Sequence, residues 1–132
     1  MAINLGVGSR LPAHCTSLGR VLLAGLDDAT LQARLAQMPL CARTRRTITD
    51  RQALLAEIRQ VREQGYALVV EELEEGLVSM AAPIVNRQGR VVAAINVSGQ
   101  SARSSTAQMR ELFLPRLLAT AQRVNALMRS QD

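Results

Sequence analysis

Two places in the chain hold residue types that could act on a small molecule. The first is His14-Cys15, just ahead of Thr16 and Ser17, where a helix is expected to begin. A thiolate beside a helix N-terminus is stabilised by the free backbone N–H groups there, so a cysteine nucleophile served by a histidine base is one reading. Against it, adjacent side chains rarely point at each other and no orienting carboxylate lies nearby. A buried thiol and a packing or capping histidine are the plainer assignments, and an enzyme is not expected. The second place is the trio Ser79, Asn96 and Ser98, set in two otherwise apolar segments. Hydroxyl and amide groups among small apolar neighbours orient a ligand, and they do not attack it.

Arg43, Arg45 and Arg46 form a third candidate, because a guanidinium can grip a carboxylate through two parallel hydrogen bonds. A solvated, arginine-rich loop is the competing reading. The run Glu71, Glu72, Glu74, Glu75 before Gly76 cannot enter a core unpaired and is expected at a solvated turn or edge.

The elements that must hold these groups follow from pattern. Ile3–Val7 could be a short strand, and Pro12 enforces an extended approach to a helix from Thr16 that closes at Gly25. Asp27 can cap a second helix bearing Leu31, Leu35 and Met38 on one face, stopped by Pro39. Thr49 with Gln52 reads as a capping box for a third, with Leu54, Leu55, Ile58 and Val61 at helical steps and Gly65 as its end. Strands are expected over Tyr66–Glu71, Leu77–Val85 and Arg90–Ser98, the last two joined by a hairpin turn at Asn86–Gly89. A second capping box, Ser105 with Gln108, opens a terminal helix. Its stripe is Met109, Leu112, Phe113, Leu117, Ala121, Val124 and Met128, with Pro115 expected to kink or break it.

A symmetric hairpin pairs Ser79 with Asn96 and Leu77 with Ser98. Alternation then puts Ser79, Asn96 and Ser98 on one sheet face with Ala81 and Ala94, and Met80, Ala82, Ile95 and Val97 on the other. Small residues plus three hydrogen-bonding groups leave room for a ligand; the alternative is that the polar groups satisfy one another in the core. At the start of the first helix, the backbone N–H groups of Ser17, Leu18 and Gly19 are candidate donors to an anion.

Composition narrows the classes. A chain of 132 residues suits one α+β domain with an antiparallel sheet, and needs neither disulfide nor metal to build a core. One histidine and two distant cysteines exclude zinc spacing, and no cofactor is implied. With one Tyr, one Phe and no Trp there is no stacking platform for single-stranded nucleic acid, although the net charge is +5. No signal peptide or long apolar run stands out, so a cytoplasmic protein off the membrane is expected.

The segment Leu11 to Ala24, with its Pro12-Ala13-His14 approach and Gly19-Arg20 helix ending in Leu23-Ala24, resembles the start of the sensing half of IclR-family transcriptional regulators. The resemblance continues in order through Arg45–Thr49, Val61–Tyr66, Glu71–Leu77, Ser79–Ile84 and Ala93–Gly99. It is nearest the regulators of aromatic-acid catabolism of the protocatechuate and β-ketoadipate pathway type. The resemblance implies a GAF-like antiparallel sheet flanked by helices, binding a small carboxylate effector and self-associating as a dimer or tetramer. It carries effector contacts onto Ser17, Leu18, Ser79, Asn96 and Ser98. It also implies that residues 1–132 are an effector-binding domain incomplete at its N-terminus, with DNA reached only through a winged helix-turn-helix outside this sequence. A ligand-free oligomerisation domain is the alternative.

Overall fold

A computed structural model describes residues 10–130; the strand expected over Ile3–Val7 falls outside them. A 3-10 turn (Ala13–Cys15) leads into α1 (Ser17–Ala24), α2 (Asp28–Gln37) and α3 (Arg51–Gln64). Strands β1 (Ala67–Val70), β2 (Leu77–Val85) and β3 (Val91–Gln100) follow. The chain then runs through α4 (Thr106–Gln108), a π-helical turn (Met109–Phe113) and α5 (Leu114–Arg129). This is the α+β architecture expected from the pattern.

The three strands form one antiparallel sheet in the order β1-β2-β3, covered by helices on both faces. Ala67, Ala81 and Ala94 pack against Val21, Leu23, Leu31, Leu54, Ile58 and Val61 of the first three helices. Val78, Met80, Ala82 and Ile84 pack against Met109, Leu117 and Ala121. Burying each large aliphatic side chain contributes about 2 kcal/mol, so these two layers supply the main drive to fold. Arginines of α3 then finish its neighbours. Arg62 donates to the carbonyls of Ala24 and Leu26, and Arg51 to those of Leu35 and Met38. Both place a cation on orphan carbonyls at a helix C-terminus, which accounts for two arginines that composition alone leaves as surface charge.

Helix ends follow side-chain chemistry. Asp27 accepts from the N–H of Thr30, and the box between Ser105 and Gln108 is fully formed. Gly65 ends α3 in the left-handed conformation, φ 86°. The expected Thr49–Gln52 box is corrected: Asp50 caps α3 by accepting from Ala53 N–H, because a carboxylate one residue closer displaces the threonine. Gly25 does close α1, but in ordinary right-handed geometry. Glycine is needed there because a Cβ would lie 2.6 Å from that of Val91.

The hairpin differs from the symmetric expectation by two residues. Ser79 lies opposite Ser98, Ala81 opposite Asn96 and Leu77 opposite Gln100. One residue enters at the turn, where Gly89 takes φ 80° and Asn86 N–H bonds to Arg90 O. The other is Val92, which has no partner between Val91 and Ala93 and forms a bulge. Two single insertions preserve parity, so the face assignment of Ser79, Asn96 and Ser98 stands although their pairing does not. β3 also runs past Gly99 to Gln100.

Pro115 does not break the terminal helix. The preceding turn widens so that Leu114 N–H reaches Met109 O, and Pro115 then falls in the first turn of α5, where no N–H is required. The wide turn also shifts the helical phase. Leu112, expected in the apolar stripe, is 59% exposed, whereas Leu114 and Leu118 join the buried side.

Candidate functional site

Between the start of α1 and the adjoining sheet face lies a cavity of about 300 Å³. Ser17 and Leu18 reach it from the first turn of α1, Ser79 from β2, and Asn96 and Ser98 from β3. All five residues proposed from the sequence line one space. Leu11, Cys15, Val69, Leu73 and Leu77 complete an apolar wall, and Thr16 adds one more hydroxyl. Among the described residues, every one that lines it is uncharged.

The polar groups are ordered by one another. Ser79 Oγ donates to Ser17 Oγ at 2.9 Å, both residues being buried. Asn96 Nδ2 makes a 3.4 Å contact to Ser98 Oγ, and both of these side chains remain open to solvent along β3. Thr16 caps α1 by accepting from Gly19 N–H at 3.1 Å, while its own hydroxyl donates to Pro12 O at 2.9 Å. Gly19 is therefore corrected as an anion donor, since its N–H is already taken. The donors left at the helix start are those of Ser17 and Leu18, which have no carbonyl one turn back to bond within the helix. No acidic residue sits in that first turn to oppose an anion.

His14 and Cys15 are separated in role. His14 is buried and its Nε2 donates to Cys41 O at 2.9 Å, a link from the 3-10 turn to the loop between α2 and α3. Cys15 is fully buried in the cavity wall, and burial pushes its thiol above the ordinary value against the opposing pull of Arg43. That is the reverse of an activated nucleophile.

Arg43, Arg45 and Arg46 are all exposed and none lines the cavity. Arg45 and Arg46 border a separate polar groove with Thr44, Glu71 and Glu75, where Arg46 lies 3.5 Å from the Glu71 carboxylate. Of the two readings weighed for them, the solvated loop is the one the structure shows. The acidic run is corrected too. Glu72 is buried and forms an ion pair with Arg20, itself 1% exposed. Sequence reading missed this pair because a run of glutamates carries no sign of which member turns inward. Leu73 escaped for the same reason, being flanked by acids.

Residues 1–126 match the family model for the bacterial transcriptional regulator IclR C-terminal domain. The chain is 48% identical over 121 residues to the Pca regulon regulatory protein of Pseudomonas putida, covering 92% of this chain and 42% of that protein. The chain thus spans less than half the length of the curated relatives it matches. Among solved structures it resembles a double mutant of the Acinetobacter PobR inducer-binding domain in complex with 3-hydroxybenzoic acid. That match has TM-score 0.87 and 37% identity, over 92% of this chain and 70% of that one. The C-terminal domain of the Escherichia coli regulator KdgR is similar, at TM-score 0.84 and 38% identity, over 92% and 73% of the two chains.

Proposed function

The chain belongs to the IclR C-terminal family of bacterial transcriptional regulators, and from that premise we propose that its cavity takes a small aromatic carboxylate as effector. The observation that carries this reading is one uncharged space bordered by residues from the start of α1, from β2 and from β3. At about 300 Å³ it is at the small end of ligand pockets, which suits a single-ring acid.

The carboxylate is held by the backbone N–H groups of Ser17 and Leu18, where the helix dipole presents its positive end. Ser79, through its bond to Ser17, fixes the hydroxyl beside that anion. Asn96 and Ser98 take a ring substituent at the open end, and Leu73, Leu77 and Val69 enclose the ring. Bridging α1 to the strand pair favours one packing of self-associated sensing domains over another. A DNA-binding domain elsewhere in the regulator reads that difference in the cytoplasm. The effector can shift this equilibrium only by its difference in affinity for the two packings. Among the described residues no helix is long and apolar enough to cross a membrane.

Thermal unfolding against rising 3-hydroxybenzoate, with 3-hydroxybenzamide as the neutral control, tests this. The acid is expected to raise the midpoint progressively, as mass action requires, and the amide is not. If neither this acid nor other aromatic and short dicarboxylic acids stabilise the fold, the effector reading falls.

A further inference from the structure

We infer that the buried Arg20–Glu72 ion pair is a positioning element of the ligand cavity, clamping its helix-side wall to its loop-side wall without touching the ligand. Neither residue lines the space, yet each holds a segment that does. Arg20 Nε donates to His14 O at 3.0 Å and so fixes the 3-10 turn that carries Cys15. Its Nη2 binds Glu72 Oε1, which also accepts Ile48 N–H at 3.2 Å. Glu72 is followed by Leu73, and the same loop delivers Leu77, both of which form the opposite wall. The loop has further ties: Ser101 N–H donates to Gly76 O at 2.8 Å, and Arg46 lies 3.5 Å from the Glu71 carboxylate. Thr47 Oγ1 donates to Glu72 O and Thr44 Oγ1 to Glu71 O, each at 2.6 Å. One guanidinium therefore joins the two walls, from a site where its planar fork cannot be replaced by an ammonium.

A buried ion pair is weak evidence of stabilisation, since an apolar pair of similar volume often serves the fold as well. Its presence here suits geometry better than stability. The test uses Cys41→Ser protein, so that Cys15 is the sole thiol, with Arg20→Met/Glu72→Met, Glu72→Gln and Arg20→Lys variants. Labelling of Cys15 by a thiol reagent at fixed pH reports the wall without any ligand. Affinity for 3-hydroxybenzoate reports the site, and this second readout alone rests on the effector reading. The folded variants are expected to label about tenfold faster and to bind about tenfold more weakly, with near-native circular dichroism. Arg20→Lys keeps a cation near Glu72, so it preserves the fold if the other variants lose it, while still loosening the tie to His14. Unchanged labelling in every folded variant overturns the inference. Faster labelling in protein whose parent never binds the acid supports the clamp and overturns the effector reading instead.

Discussion

Ser79 on β2 donates a hydrogen bond to Ser17 at the first position of α1, 2.9 Å away and 62 residues apart in sequence. Having accepted, the Ser17 hydroxyl keeps its own proton to offer a further acceptor, and Ser17 lines the cavity. Replacing Ser79 with Ala is expected to cost about 1 kcal/mol, the usual net worth of such a bond, as read by urea unfolding. The same variant is expected to bind 3-hydroxybenzoate more weakly in calorimetry. Equal affinity would show that the pair belongs to the core and not to the site.

Asn96 and Ser98 lie open along β3 and contribute little to either core layer. The double change Asn96→Leu/Ser98→Ala is therefore expected to leave the unfolding midpoint without ligand close to that of the parent. Its ligand-induced rise should disappear. In a regulator carrying this domain, operator binding should persist while effector response is lost. A retained response would remove these two residues from the site.

Gly19 permits the close approach of α1 to the 3-10 turn. A Cβ at this position would fall 2.4 Å from Ala13 Cα and 2.5 Å from Ala13 O, both backbone atoms that cannot swing aside. Gly19→Ala is expected to destabilise by at least about 2 kcal/mol, as overpacked sites do, despite the better helix propensity of alanine. Urea unfolding that shows a neutral or stabilising change would refute the packing account.

Asp28 links α2 to α3. Hydrogen bonds from Arg59 and then Gln32, with the nearby charges of Arg59 and Arg62, hold its carboxyl at about 2, below the ordinary 3.8. A depressed carboxyl pKa means that its contribution is present above the ordinary value and is lost as pH falls toward about 2. Urea midpoints measured down through this window should fall less steeply for Asp28→Asn than for the parent. Parallel curves would mean that the exposed pair with Arg59 is screened to nothing.

Local chemistry made much of the scaffold legible in advance. Asp27, Gly65 and the Ser105–Gln108 box act within three or four residues of where they stand, so their roles need no tertiary knowledge. The common face of Ser79, Asn96 and Ser98 was legible because strand alternation depends only on parity. Their register was not, since the Val92 bulge has no signature in a run of apolar residues. Leu112 was misplaced because the π-helical turn answers to Pro115 downstream. Glu72 and Arg20 were out of reach for a different reason. Their burial depends on a partner 52 residues away, and composition describes both as surface.

The two extra residues of the β2–β3 hairpin imply a rule for how its length can vary. Lengthening or shortening the tip by two residues slides β3 along β2 and returns Asn96 and Ser98 to the same side. A change of one turns them toward α5 and presents Ile95 and Val97 to the cavity. Within related sequences, insertions and deletions near Val92 and Gly89 should accordingly come in pairs, and a lone one should occur with a compensating loss elsewhere in the hairpin. For anyone redesigning the ligand preference, moving β3 in steps of two offers a way to exchange which small side chains border the cavity while both core layers keep their apolar faces.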